Sequence, residues 1–271
     1  MNKDGNISKD NLKTEHALSQ KEASQLKQSK ADLHIHTVLS PCADLEMTPA
    51  NVVKGAIKAG LQIIGITDHN STKNAKLVKQ LAGKEGIFVL TGAEVTTKEE
   101  VHCLVFFEHE TELDAFQNYL DKNILKIPNL NGHFGYQAVV DEEDNILEMV
   151  PYYLGAGLNK SISDIQEYVY ELNGIFIPAH VNRPRNGIFS QLGFIPGDLK
   201  FDALGITGNT TENHVRKHYV LENKISLLYN SDAHFPEQIG RNYSIFNIVD
   251  VSFKEIKMAM NQKNKRFVEI K

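Results

Sequence analysis

The sequence predicts an α/β fold, with a parallel sheet closed into a barrel or wound between helices. Three observations predict it. Short apolar runs alternate with amphipathic ones from Lys30 onward. The 271 residues suit one large α/β domain. Side chains able to bind metal recur where the apolar runs end, and β/α barrels place their chemistry at the C-terminal ends of strands.

The elements follow in order. Residues 1–29 are polar and read as a disordered tail, with only a weak helical stripe at Leu12, Ala17, Leu18, Ala23 and Leu26. The domain is expected over 30–271. Asp32–Thr37 reads as a strand. Thr48 and Pro49 are an N-cap and first helical residue for a helix reaching Ala59. Ile63–Thr67 is a second strand, followed by a helix at Lys73–Ala82. Strands are expected at Ile87–Val95 and Val101–Phe107, and Thr111 with Asp114 suggests a capping box. The stretch from about 126 to 160 breaks the rhythm with Pro128, Gly132, Gly135, an acidic run Asp141–Asp144 and Pro151. It reads as an insertion over the barrel. Alternation resumes with a helix near Ser163–Leu172 and strands at Gly174–Ala179, Ala203–Thr207, Ile225–Asn230 and Tyr243–Val249. Ser252 and Glu255 suggest a second capping box, and Arg266–Ile270 a last strand.

Composition narrows the function classes. The net charge is -5 and the pI about 6.1, so the chain has no general electrostatic pull on nucleic acid. A bound metal cluster would add local positive charge. No run of about 18 apolar residues suggests a membrane span. The N-terminus shows no apolar stretch of the kind a secretory signal has. Two cysteines, Cys42 and Cys103, make no disulfide framework and fit a reducing compartment. A cytoplasmic location is expected.

The chemistry lies in the placement of the eleven histidines. His34 and His36 close the first strand with one apolar residue between them, so both point to one face. Asp68-His69 closes the second strand and Glu94 the third. His180 follows the strand ending Ile177-Pro178-Ala179. Asp232 and His234, again at i and i+2, follow the strand ending at Asn230. His102 starts a strand, but the turn Lys98-Glu99-Glu100 is too short for a crossover helix. An antiparallel hairpin would carry His102 back beside Glu94. A single His-x-His on a strand is weak evidence, but coincidence at successive strand ends is hard to attribute to core packing. Imidazoles and carboxylates suit Zn, Mn or Fe. Their number exceeds the needs of one tetrahedral ion, so two or three divalent ions are expected, with Glu94 suited to bridge. Such a cluster polarises a phosphoryl oxygen and lowers the pKa of a bound water to about 7.

The segments Asp-Leu-His-Ile-His, Gly-Ile-Thr-Asp-His-Asn, Gly-Ala-Glu-Val-Thr, Pro-Ala-His and Ser-Asp-Ala-His resemble the motif series of the PHP (polymerase and histidinol phosphatase) family over residues 30–271. The resemblance implies a distorted (β/α)7 TIM-like barrel and a trinuclear centre. It implies that His34, His36, Glu94 and Asp232 hold one ion, and that Glu94, His102 and His180 hold a second. His69 and His234 would hold the third with a residue from the loop after His36. There the chain departs from the family pattern, which has histidine or aspartate. Asp44 is the favoured donor, as a hard carboxylate ionised at neutral pH, and Cys42 is its rival, since thiolate binds zinc well. Cys103 reads as core.

Arg183, three residues after His180, could hold a phosphate in bidentate fashion, and the spacing resembles the nucleotide-hydrolysing branch of the family. The alternative for it is a salt bridge. His180 and Arg183 are the candidate catalytic residues, with Arg185 and Arg241 as weaker phosphate binders. His16, His109, His133, His214 and His218 match no motif. The expected activity is metal-dependent hydrolysis of a small phosphorylated metabolite or nucleotide. The alternatives are a 5′–3′ exonuclease on short RNA or DNA, which needs basic and stacking residues, and a non-catalytic metal-stabilised regulatory module. Related barrels use similar clusters on carbonyl substrates, which keeps amidohydrolase chemistry open.

Overall fold

The computed structural model describes residues 26–270 other than Asn209. The helical stripe of the N-terminal tail therefore lies outside the described residues. The sheet is built from β1 (Lys27–Ile35), β2 (Ile63–Ile66), β3 (Phe88–Thr96), β4 (His102–Phe107), β7 (Ile175–Pro178), β10 (Ser244–Ile248) and β11 (Phe267–Ile270), in the order β11-β10-β1-β2-β3-β4-β7. A hairpin, β5 (Ala138–Val140) and β6 (Ile146–Met149), stands apart, as does a parallel pair, β8 (Leu204–Ile206) and β9 (Leu227–Tyr229). Backbone bonds from Val181 N to Gly205 O (2.8 Å) and from Asp202 N to Phe176 O (2.9 Å) join β7 to β8. Others, from His36 N to Ala233 O (3.0 Å) and from Ala233 N to His34 O (3.1 Å), tie the chain after β9 to the end of β1.

The distorted seven-unit β/α barrel is met only in part. The fold is mixed α/β with a curled sheet in which β1, β2 and β3 are parallel, while β4 runs antiparallel to both β3 and β7. β10 pairs antiparallel with the first half of β1, and β11 with β10. One apolar cluster joins Leu33, Leu90, Leu104, Ile177, Leu228 and Phe246. They span the sheet from β10 to β7, strands near its two ends, which requires the sheet to curl around them. The alternate residues of β4, Cys103, Val105 and Phe107, pack instead under the helices, as the two-residue period of a strand demands. Gly92 lets β3 and β4 approach: a Cβ there would lie 1.7 Å from Val105 O.

Helices α1 (Pro49–Lys58), α2 (Ala75–Lys84), α3 (Glu110–Asn123), α4 (Ile162–Glu171), α5 (Ile188–Leu192), α6 (Glu212–Tyr219) and α7 (Phe253–Met260) complete the described fold. Thr48 caps α1 by accepting from Asn51 N, with Pro49 in its first turn, and Val52, Val53 and Ala56 are its buried face. These residues pack with Ile64, Ile66 and Val89 of the sheet. No described helix is long and apolar enough to cross a membrane.

Several expectations need correction. β1 begins at Lys27, inside the span read as tail, because Lys27–Ala31 pair with β10. α3 begins at Glu110, and the Thr111 hydroxyl bonds Glu112 instead of forming a capping box. Ser252 accepts from Glu255 N, but the Glu255 carboxylate is taken by Val249 N and Arg266, so the reciprocal half of that box is missing. The full capping box is at Ser161 and Asp164. The stretch at 126–160 holds the β5–β6 hairpin and is bonded to the end of the sheet. Leu158 N donates to Thr96 O (2.8 Å), and Asn70 Nδ2 donates to Leu154 O (2.7 Å) and Ala156 O (2.9 Å).

Candidate metal centre

Glu94 is the hub of the site. It lies near the end of β3 and is 1% exposed. His34 and His36, at the end of β1, turn their Nε2 atoms to it at 3.2 and 3.4 Å. A parallel bridge between His69 and Glu94 extends the β2–β3 pairing beyond β2, and His69 Nδ1 lies 3.3 Å from the carboxylate. The antiparallel register sets Thr96 opposite His102, so the expected hairpin brings His102 Nδ1 to 3.0 Å. His180 Nε2 is also at 3.0 Å. Five imidazoles thus surround one buried carboxylate.

Asp232 is the second hub. Its Oδ1 lies 3.2 Å from His34 Nε2 and 3.3 Å from His36 Nε2. Two backbone positions here have left-handed φ, +55° at Asp232 and +29° at His180. Aspartate tolerates that region, but histidine there is strained, as functional positions often are. Backbone bonds hold the turn: Arg183 N donates to His180 O and Val181 N to Gly205 O, each at 2.8 Å.

The residues fit divalent ions. Buried His34 Nε2, His36 Nε2, His69 Nδ1, His102 Nδ1, His180 Nδ1 and Asp232 Oδ1 have no hydrogen-bond partner. Orphaned polar atoms in a protein interior are costly unless something else satisfies them. Two donors about 2.1 Å from one tetrahedral ion are separated by roughly 3.4 Å. The spacings of His34 and His36 from Glu94 and Asp232, 3.2–3.4 Å, match that value. Three sets place their donor atoms within 4.8 Å of one another: His34, His36, Glu94 and Asp232; His69, Glu94 and His102; and His36, His69 and His234.

Electrostatics agree with the donor set. Burial pushes the Glu94 carboxyl up, but His34 and His102 overcome it and hold its pKa well below the usual range. Burial lowers the pKa of His36 to about 4, and it lowers those of His69 and His180 too, which keeps these rings neutral with a lone pair to donate. At His34 burial is outweighed by Glu94 and Asp232, and the pKa rises to about 9. The two carboxylates draw positive charge to their midst.

Three supporting residues were given no role of their own from sequence. The Ser40 hydroxyl donates to Asp68 Oδ1 at 2.7 Å and meets His36 Nδ1 at 2.9 Å. With its proton on Asp68, Ser40 accepts from His36, which leaves His36 Nε2 unprotonated toward Glu94. Asp68 also accepts from Thr37 N and Oγ1, both at 2.7 Å. Buried Asp32 accepts from Ser231 N (3.0 Å) and Gly240 N (2.9 Å), fixing the chain on both sides of Asp232. Asp32 and Asp68 sit two and one residues before predicted ligands, and that adjacency was their only sequence signal.

Of the two loop candidates, Asp44 is not brought into the cluster. It is in none of the three donor sets, and its Oδ1 accepts from Glu46 N at 2.8 Å in a local turn. Cys42 is the loop side chain that reaches the site, with Sγ 3.0 Å from His234 Nε2. Cys103 is buried in the core as expected. Arg183 Nη1 lies 2.5 Å from Asp232 Oδ2, while the side chain remains 46% exposed. Beside it is a cavity of about 330 Å³ whose lining includes Arg183, Ser231, Asp232, Gln238, Arg241 and Asn242. Arg185, His109, His133, His214 and His218 are in none of the three donor sets.

Comparison with known proteins completes the description. The family model described as PHP domain matches residues 32–178. The Bacillus subtilis protein YqxK, itself uncharacterized, is 24% identical over 272 residues, covering 89% of this chain and 64% of YqxK. The lesion-specific endonuclease PfuEndoQ from Pyrococcus furiosus superposes with a TM-score of 0.69 at 22% identity, covering 89% of this chain and 58% of that one. An Endonuclease Q in complex with a 27-mer duplex carrying an abasic lesion at the active site gives 0.67 at 21% identity, with the same coverage of 89% and 58%. The chain thus spans somewhat less than two thirds of the length of each of these relatives.

Proposed function

The chain belongs to the PHP domain family, and from that premise we propose that it is a metal-dependent hydrolase of phosphate esters, acting on a small phosphorylated metabolite or nucleotide. The observation that carries this reading is the buried Glu94 carboxylate with five imidazole nitrogens within 3.0–3.4 Å. In this reading His34, His36, Glu94 and Asp232 hold one ion, and Glu94, His102 and His180 a second. His69 and His234 are donors to a third. Divalent ions held there would polarise a phosphoryl oxygen and activate water near neutral pH.

The chain's own groups orient and bind. Asp68 and Ser40 set the His36 tautomer, and Asp32 holds the Ser231–Asp232 turn. Arg183 is anchored by Asp232 through one nitrogen. Its exposed remainder borders the adjoining cavity, where a planar guanidinium can take a phosphate oxygen. Arg241, exposed and also lining the cavity, offers a second cation.

That pair of arginines favours a second reading, a nuclease on short RNA or DNA. A polynucleotide carries further phosphates beside the scissile one, which a second cation can take. The test is a screen of phosphomonoesters, cyclic and bisphosphorylated nucleotides and short oligonucleotides, with Mn, Zn, Fe and Mg each supplied. Hydrolysis of a phosphate ester that stops on chelation and returns with metal is expected. An Asp232→Asn variant with native circular dichroism and undiminished turnover would overturn the assignment.

A further inference from the structure

We propose that Cys42 is a thiolate donor at the His69–His234 end of the cluster, giving that ion a mixed nitrogen–sulfur ligand set. The inference rests on the reading of the cluster as a metal centre. It adds a ligand there that the family's histidine or aspartate pattern does not contain.

Two independent observations carry it. The Cys42 sulfur is in contact with a candidate ligand, 3.0 Å from His234 Nε2. The imidazoles beside it are short of partners. His36, His69 and His234 place their donor atoms within 4.8 Å of one another, and buried His36 Nε2 and His69 Nδ1 have no hydrogen bond. The His36 and His234 rings are stacked with centroids 4.2 Å apart. Asp44, the other candidate on the loop, is in none of the donor sets, and its Oδ1 accepts from Glu46 N.

The loop is fastened where this role requires it. Asp44 N donates to His234 O at 2.9 Å, so the segment carrying Cys42 is tied to the backbone of the histidine that its sulfur touches. Ala43 N donates to Ser40 O at 3.0 Å, and Ser40 in turn bonds His36 and Asp68. The loop therefore couples the sulfur to the same network that orients the histidines.

Coordination converts the thiol to a thiolate: the S–H bond breaks, the proton passes to solvent, and a sulfur lone pair forms the bond to the ion. A soft thiolate favours zinc, cobalt or iron over magnesium and manganese, which prefer oxygen. The proposal thus assigns the third ion a metal preference different from that of the oxygen-rich Glu94–Asp232 site. It also predicts that alkylating the sulfur and filling the site compete.

The test uses the full chain. Cobalt-loaded wild-type protein should show sulfur-to-cobalt charge-transfer absorption in the near ultraviolet. Cys42→Ser should lose that band and bind about one ion fewer per chain, and Asp44→Asn should keep both. A readout needing no variant is iodoacetamide labelling of wild-type protein. Cys42 should react quickly after chelation and at least tenfold more slowly with zinc bound, while buried Cys103 reacts in neither state. A wild-type spectrum without the band, or a Cys42→Ser protein with full metal content and unchanged cobalt absorption, overturns the proposal while the metal centre stands. Wild-type protein binding less than one ion per chain overturns both, and labelling unaffected by zinc in fully loaded protein overturns the thiolate alone.

Discussion

The Ser40 hydroxyl stands between His36 Nδ1 and Asp68 Oδ1, at 2.9 and 2.7 Å. It also accepts from His69 N at 3.1 Å. Removing it frees one imidazole to rotate and leaves Asp68 short of a donor. Outer partners of this kind are worth about 10–100-fold in metal affinity. Ser40→Ala is therefore expected to weaken metal binding about tenfold with little change in secondary structure, as chelator competition will show. Arg183 poses a different question, because one of its nitrogens is already committed to Asp232. If its exposed remainder binds phosphate, Arg183→Ala costs about 1.5–3 kcal/mol of substrate or transition-state binding, the loss of a charge-assisted bond. Metal content should stay within error of wild type. Metal content falling in step with activity would make Arg183 a support for Asp232 and nothing more.

At the scale of elements, α7 is tied to the sheet edge by a buried ion pair. Arg266, just before β11, donates through Nε and Nη2 to the Glu255 carboxylate at 3.0 and 2.9 Å. Burial pushes the Glu255 carboxyl up, but Arg266 and Val249 N overcome it, so its pKa lies below the ordinary 4.5. A carboxylate with a depressed folded pKa stabilises the fold above its unfolded pKa, and that contribution is lost as pH falls through the folded value. Glu255→Gln should cost about 1.5–3 kcal/mol at pH 7, because it takes the charge from the carboxylate that accepts two bonds from Arg266. The gap to wild type should close progressively below about pH 4.5. Urea denaturation at pH 7 and pH 3.5 measures both, and a gap independent of pH would mean that the pair acts through packing alone.

At the scale of the molecule, the proposed metal centre would also be a clasp. Its candidate ligands come from β1, β3 and β4 and from the segments after β2, β7 and β9, so ions bound there would join the curled sheet across its width. A ligand that binds only the folded state stabilises it by about 2.7 kcal/mol at 100 times its Kd. For a domain of this size each kcal/mol moves the melting temperature by about 2–4 °C. Chelation should therefore lower Tm by at least about 5 °C, reversibly on adding zinc or manganese. Calorimetry with and without chelator checks this, and an unchanged Tm would count against ions that bridge strands.

Spacing alone brought together most of the candidate site. His34 and His36 could be paired because strand side chains alternate, and His69, His180, Asp232 and His234 because each ends an apolar run. Even His102 was legible, since three residues cannot make a crossover and the hairpin had to return it to Glu94. The strands and helices bounding these residues could be located for the same reason: local periodicity encodes them. Tertiary structure decided what periodicity does not encode. Which strands pair, with β10 flanking β1 and β4 reversed, depends on contacts between distant segments. The placing of Asp44 and Cys42 was also tertiary. In sequence the carboxylate is the better ligand for a hard ion. In the folded chain one oxygen of Asp44 accepts from a local backbone amide, and the bond from Asp44 N to His234 O carries Cys42 to the histidine. The support from Asp32, Ser40 and Asp68 was hidden likewise, because a hydrogen bond across 28 or 208 positions of the chain has no signature in either partner's neighbourhood.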